Sequence, residues 1–390
     1  MVRMLGERFS ARRRTRARLS VVVPVYDVAG YLDECLRSVL AQDLPRSVSL
    51  EVVCVDDGST DGSGDLVAAW SRSDPRVVAV HQENAGLGAA RNRGVQHATG
   101  DLLTFADSDD VVPAGAYAAL VGSLLSSRSD LAVGALERFT DQRTSMGPLM
   151  RENHRHPRTG TSVLEQPLLL ADVFAVNKVY RRAFWDDAGA RFPVGTRYED
   201  QPTLTRVLLA ARAVDVLGEV VYRWRTRSDG SSITQGRGDV ADLTDRMATK
   251  QDSTEVVLAA GADQLVDDWF GRILPVDMWE YFRAAPEASE EYWRLLVEGV
   301  RALWPPGVRG FETTQVPVQQ RLMGVLVAQD RRADLVRLLA AVDERGVRAA
   351  GDGERVVDLP FAGDADVPAA AWTLSDRDLA RLGPAGPPQR

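Results

Sequence analysis

Between residues 19 and 110, short β-branched runs alternate with helical patterns four times. That alternation restricts the chain to a layered α/β domain built on a largely parallel sheet. "LSVVVPVY" (19–26) predicts a first buried strand, and "AGYLDECLRSVLAQ" after it puts Leu32, Cys35, Leu36, Val39 and Leu40 at helical spacing. "LEVVCVDDGSTDGS" (50–63) predicts a second strand running into an Asp, Gly and Ser turn, with a short helix through "DLVAAW". "RVVAVHQ" is the third strand, "LGAARNRGVQHA" a helix behind a glycine loop, and "GDLLTFADSDD" the fourth strand. The connections fit ordinary loop lengths.

The fourth strand ends on three carboxylates in four positions, Asp107, Asp109 and Asp110. Like charges so close raise one another's pKa unless a cation or hydrogen-bond donors absorb the charge. Either the segment is a solvated turn or something positive belongs beside it. Open α/β sheets bind ligands outside the carboxyl ends of their strands. Here four successive strand ends carry polar groups: Tyr26, then Asp56 and Asp57, then Asn84 and Gly86, then Asp107 and Asp109. A solvated turn explains any one of them but not the series.

Several function classes fit the sequence poorly. A dinucleotide-dependent dehydrogenase needs its glycine fingerprint after the first strand, where this chain reads "PVYDVAG", and the phosphate-cradling P-loop pattern is absent. A nucleotidyltransferase would need a glycine-rich basic loop at the same place. A formal charge of −8 argues against a nucleic-acid partner. What remains is an acidic pair able to hold Mg²⁺ or Mn²⁺, hard cations that combine one or two carboxylates with substrate phosphates.

The 390 residues suggest more than one domain. Residues 1–18 carry seven arginines against Glu7 and are expected to be a basic disordered arm. The alternative for the arm is a peripheral contact with anionic lipid headgroups. The α/β catalytic domain is expected over 19–238, with 137–165 an irregular excursion or hairpin over its active face. Amphipathic patterns without intervening strands predict a helical domain over 239–345, whose apolar faces would serve a homo-oligomer. The Gly, Asp, Pro and Ala composition of 346–390 predicts an irregular tail or linker.

Cys35 and Cys54 read as small buried hydrophobes, and His154-Arg-His156 as a solvated loop, since no third ligand accompanies it. Trp269, Trp279, Trp293 and Trp304 read as core and interface anchors. No apolar run reaches the roughly 18 residues of a membrane span, and the start lacks the apolar region of a secretory signal. A cytoplasmic protein is expected, with the inner face of the membrane as the place of any peripheral contact.

"SVVVPVYDVAGYLDECLRSVLAQ", "VVCVDDGSTDGS", "NAGLGAARNRG", "FADSDD", "NKVYRR" and "YEDQP" stand in the order and spacing of family-2 glycosyltransferases. Over roughly 19–235 the chain resembles that family and its glycosyltransferase-A fold. "YRWRTRSDGSSITQ" and the helical region after it resemble the wall-teichoic-acid and capsule branch. The resemblance implies an inverting transfer of a hexosyl or N-acetylhexosaminyl unit from a UDP-sugar to a hydroxyl of a cell-envelope polymer or its lipid-linked precursor. It implies that Pro24 and Tyr26 line the nucleobase pocket, Asp57 reads uracil while Asp56 orients the turn, and Asn84 and Arg91 contact base and diphosphate. Asp107 would approach the ribose or a metal-bound water, Asp109 would ligate the Mn²⁺ or Mg²⁺ ion, and Asp110 would support them. In "YEDQP" the resemblance makes Asp200 the general base beside Glu199 at the substrate, against a plain reading in which both acids only favour a helix N-terminus. Lys178 would contact the donor or hold the fold. The alternatives are a non-catalytic scaffold of the same fold, against which intact Asp107, Asp109 and Asp200 speak, and a nucleotidyltransferase.

Overall fold

The computed structural model describes residues 17–140, 142–227, 238–351 and 353–382. The first half runs β1 (Ala17–Val25), α1 (Leu32–Leu40), β2 (Val48–Asp56), α2 (Ser63–Ser73), β3 (Val77–His81), α3 (Leu87–His97) and β4 (Leu102–Phe105). β1 lies between β2 and β4 and is parallel to both, and β3 extends the sheet parallel to β2. From Leu19 to Val25 β1 is buried on both faces, which is why it reads as a continuous apolar run rather than an alternation. α3 packs against it at Gly94, where a Cβ would stand 2.2 Å from Val22 Cγ1.

Proline inside a central strand would normally cost a ladder hydrogen bond. Pairing between β1 and β4 stops at Val22 and Phe105, so Pro24 faces a gap where β4 has already turned away. The Ala106 N–H still donates to the Val22 carbonyl, at 3.0 Å. Beyond it the acidic segment is free to line a cleft.

The second half adds α4 (Ala116–Ser126), β5 (Leu131–Phe139), β6 (Thr144–Ser145), α5 (Pro148–Asn153), β7 (Arg158–Thr161), β8 (Lys178–Arg181), α6 (Arg182–Asp187), α7 (Asp200–Ala210) and β9 (Val214–Arg225). The sheet order is β3-β2-β1-β4-β8-β5-β9-β7, with β6 hairpinned onto β5. β8 runs antiparallel to both β4 and β5 and joins the parallel half to the rest. The stretch expected to cross the active face is the β5–β6 hairpin followed by α5 and β7.

The helical part comprises α8 (Val240–Ala259), α9 (Asp263–Asp268), a π turn over Trp269–Ile273, α10 (Met278–Ala284), α11 (Glu290–Leu303), α12 (Val318–Ala328) and α13 (Arg332–Arg345). α11 is typical: Ser289 caps it, accepting from the Tyr292 N–H at 3.1 Å, and Tyr292, Trp293, Leu296, Val297, Val300 and Leu303 make one buried stripe. Trp269 is buried in the same core and Trp304 is half-buried, edge-on to Phe270, whereas Trp279 lines the cleft. No helix of the described residues is long and apolar enough to cross a membrane.

Two boundaries differ from the sequence reading. β1 begins at Ala17 and takes in Arg18, whose guanidinium donates to Thr99 Oγ1 at 2.8 Å and meets Glu51 at 3.3 Å; the rest of the expected arm, 1–16, lies outside the described residues, as do 228–237. The second concerns 346–382, expected as irregular tail or linker. It carries α14 (Ala369–Trp372) and α15 (Asp376–Leu382), buries Ala371 and Leu374, and is pinned to α12 by the buried Arg321–Asp378 ion pair at 3.1 Å. An ion pair 57 residues apart leaves no mark in local composition, so the segment reads as a linker in sequence alone.

Candidate active site

A cleft of about 1440 Å³ opens at the carboxyl ends of β1, β2 and β4. Pro24, Tyr26, Asp57, Asn84, Arg91, Asp107, Asp109, Glu199 and Asp200 all line it. Tyr26 is 48% exposed, an open aromatic face at the end of β1. Asp57 is buried and accepts from the backbone N–H groups of Ala85 at 2.9 Å and Gly86 at 2.8 Å, and from Gln82 Nε2 at 2.7 Å. These three donors hold a carboxylate in place and tie the loop after β3 to the end of β2. Asp56 accepts from the Ser59 N–H at 3.1 Å and meets His81 Nδ1 at 2.7 Å, which fixes the turn. Gly58 sits in this turn with φ +74°, and a Cβ there would come within 2.9 Å of the Asn84 nitrogen.

Arg91, near the start of α3, is 2% exposed and joins two distant motifs. One terminal nitrogen donates to Asp107 Oδ1 at 2.8 Å, and the other donates to Glu199 Oε1. Arg91 was expected at the diphosphate, and in this structure it also serves a second purpose. Its two terminal nitrogens are engaged by carboxylates, so it holds the acidic motifs together.

The crowded carboxylates each have a protein partner. Asp107 has Arg91; Asp109 Oδ2 accepts from Arg227 Nε at 2.8 Å; Asp110 Oδ1 accepts from the Arg225 N–H at 2.7 Å. Even so, burial and Asp107 hold Asp109 above its ordinary pKa, with Arg227 only partly offsetting them. Burial, Asp109 and Asp107 push Asp110 up further. The site has capacity for more positive charge. Arg225 and Arg227 lie in the "YRWRTR" stretch, but nothing in their spacing marks them as partners of residues 115 and 118 positions away.

Glu199 precedes α7 and Asp200 opens it. Burial pushes Glu199 up to about 7, against the pull of Arg91, and Asp200 adds to the rise. Burial raises Asp200 too, with Arg91 and Arg246 pulling it down and Asp107 pushing it up. A carboxylate raised toward neutrality in a cleft can take a proton from a substrate hydroxyl.

Lys178 does not line the cleft. It is fully buried, and its ammonium donates to Asp172 Oδ1 at 2.7 Å, to Asn177 Oδ1 at 2.8 Å and to the Phe174 carbonyl at 2.8 Å. Of its two expected roles, holding the fold is the one this geometry suits. His154 is buried on the other oxygen of Asp172, at 2.9 Å, where a solvated loop was expected, and its Nδ1 meets the Leu217 carbonyl at 2.7 Å. His156 is exposed.

The described residues contain no cluster of three or more His, Cys, Asp or Glu side chains that could hold a metal, so an ion here would rest on Asp109, the expected ligand, with Asp107 two positions away. A buried Asp109, raised by burial and by Asp107 beside it, fits Mg²⁺ or Mn²⁺ when substrate phosphates complete the shell. The far wall of the cleft comes from residues that sequence reasoning left unassigned: Asp245, Arg246 and Lys250 of α8, Arg272 of the π turn, and Arg377 and Arg381 of α15.

The fold is the glycosyltransferase-A fold. S. aureus TarS residues 1–349, in complex with UDP-GlcNAc, superposes with a TM-score of 0.67 over 89% of this chain and 97% of that one, at 20% identity. Residues 20–188 match the model for the family described as Glycosyl transferase family 2. Among related sequences, Glycosyltransferase GlyA of Streptococcus pneumoniae is 30% identical over 223 residues, 55% of this chain and 31% of its own length. Poly(ribitol-phosphate) beta-glucosyltransferase of Bacillus spizizenii is 25% identical over 224 residues, 56% of this chain and 33% of its own. The chain spans about a third of the length of these two relatives.

Proposed function

We propose that this protein is an inverting glycosyltransferase that moves a hexosyl or N-acetylhexosaminyl unit from a UDP-sugar to a hydroxyl of a cell-envelope polymer such as teichoic acid or capsule. The observation that carries the reading is the Arg91 bridge: one buried guanidinium holds both Asp107, of the motif assigned here to the leaving group, and Glu199, next to Asp200. Acidic groups for both halves of a displacement thus face one cavity. The name of the ribitol-phosphate relative and the UDP-GlcNAc complex of S. aureus TarS support the donor and acceptor classes.

In this reading Tyr26 offers its ring to the base, and Asp57 presents a carboxylate already held by three donors. Asp200 takes the proton from the acceptor hydroxyl. The freed oxygen lone pair attacks the anomeric carbon from the face opposite the diphosphate. The anomeric C–O bond breaks, its electron pair departs on UDP, and a single displacement inverts the anomeric centre. A divalent ion on Asp109 and Asp107 would neutralise charge on the departing diphosphate.

The test is UDP release and sugar transfer from UDP-glucose, UDP-galactose and UDP-GlcNAc to a poly(polyol phosphate), with Mn²⁺ or Mg²⁺ present. Asp200→Asn should lower turnover by about 10²- to 10⁴-fold, the usual worth of a positioned general base, while UDP still binds. Wild-type turnover in both Asp200→Asn and Asp109→Ala, or a product that keeps the donor's anomeric configuration, would overturn the reading.

A further inference from the structure

Tyr198, the residue before Glu199 and Asp200, has φ 61°. An aromatic residue seldom adopts this left-handed conformation, and it persists only where surrounding contacts enforce it. Those contacts come from the helical domain. The Tyr198 hydroxyl donates to Asp242 Oδ1 at 2.8 Å, and Asp242, fully buried, also accepts from the Tyr281 hydroxyl at 3.2 Å. The Arg246 guanidinium lies 4.6 Å from the centre of the Tyr198 ring and donates to Gln201 Oε1 at 2.6 Å. Upstream, Asp245 accepts from Thr196 Oγ1 and from the Arg197 N–H, both at 3.2 Å. Three side chains from the first two turns of α8 therefore grip residues 196 to 201 on both sides of the acidic pair.

We propose that Tyr198 and Asp242 form a positioning lock through which the helical domain aims Asp200 at the acceptor hydroxyl. The left-handed residue turns the chain so that Glu199 meets Arg91 while Asp200 begins α7, and the Gln201 N–H closes the turn on the Tyr198 carbonyl at 3.1 Å. Loss of the Asp242 anchor removes the contact to the Tyr198 side chain that opposes relaxation toward a right-handed conformation, a change that would swing both acids together. Tyr198 and Asp242 touch no reacting atom in this scheme. Their contribution reaches chemistry only through the placement of Asp200, so the inference rests on the reading of Asp200 as the base.

The experiment compares Tyr198→Phe, Asp242→Ala, Asp242→Asn and Asp200→Asn in the full chain, by donor KM, kcat and thermal melting. Misplacement of a catalytic group by about 1 Å can cost about 10²-fold. Tyr198→Phe and Asp242→Ala should therefore lower kcat at least tenfold, with donor KM within about twofold of wild type, the pattern of an interaction felt in the transition state. Asp242→Asn keeps an oxygen to accept from Tyr198 and should recover much of the lost kcat. Tyr198→Phe retains the ring under Arg246, and it decides the matter with Asp242→Asn if Asp242→Ala does not fold. The lock is refuted if Asp200→Asn is inactive while Tyr198→Phe keeps wild-type kcat, or if the loss appears in donor KM alone. Wild-type turnover in Asp200→Asn would instead overturn the base assignment itself.

Discussion

Glu199→Gln should remove a pH dependence of stability that the wild-type protein carries. Glu199 is 4% exposed, and burial lifts its carboxyl from 4.5 to about 7, Arg91 opposing and Asp200 adding. The folded state thus holds this proton more tightly than the unfolded chain does. Its stabilising effect is complete below about pH 4.5 and is lost as pH rises through about 7. At about 1.4 kcal/mol per unit of pKa the loss is roughly 3 kcal/mol, or about 6 to 12 °C in melting temperature for a sheet domain of this size. Glutamine keeps an oxygen for Arg91 and cannot titrate. Melting wild type and Glu199→Gln in parallel from pH 4.5 to 8 should show wild type falling relative to the variant. Asp110, also pushed up, is present in both proteins and cancels to first order. If the attraction of Arg91 prevailed over burial, Glu199 would be ionised at lower pH than a free glutamate and wild type would gain on the variant as pH rises. A difference that rises or stays flat refutes the argument.

Three other outcomes can be measured. Asp109→Asn should abolish the Mn²⁺-dependent part of UDP affinity in calorimetry while leaving the metal-independent part; equal metal enhancement in both proteins would count against Asp109 as a ligand. Gly94→Ala puts a Cβ 2.2 Å from Val22 Cγ1 and should cost about 1–3 kcal/mol by overpacking α3 on β1, read as a lower melting temperature. Arg321→Met leaves Asp378 buried without its guanidinium, a loss of about 3–5 kcal/mol, and limited proteolysis should then cut within 346–382 before the rest of the chain; resistance equal to wild type would refute the anchoring role of the pair.

The parallel half of the sheet was legible because buried parallel strands must be apolar throughout and their helices must repeat at helical spacing, and "LSVVVPVY" and "YLDECLRSVL" satisfy both. The rim was legible for a related reason. Strand ends in such a sheet define where ligands sit, so Tyr26, Asp57, Asn84 and Asp107 could be placed before any coordinates. β9 was not assigned, although it is the longest strand among the described residues. Its sequence "VDVLGEVVYRWR" follows a helix directly and carries charge, and its place beside β5 depends on a register shifted near Val133 and Ala135. The bridging contacts of Arg91 were not legible, because residue type suggests phosphate and its two acidic partners lie 16 and 108 positions away.

The acidic cluster that first drew attention is neither a solvated turn nor left to a bound ion alone. Arg91 and Arg227 each reach one member, and the Arg225 amide reaches the third. If those partners balanced the charge, Asp109 would sit at or below the ordinary carboxylate range, since an arginine at 2.7 Å lowers a neighbouring acid. It sits above it, because Asp109 is largely removed from water and Asp107 lies within its field. Burial is the larger cause, so a further cation beside Asp109 is favourable. We expect a nucleoside diphosphate, which would bring more negative charge into the cleft, to bind more tightly with a divalent ion than without one, a metal dependence of donor binding rather than of the chemical step alone.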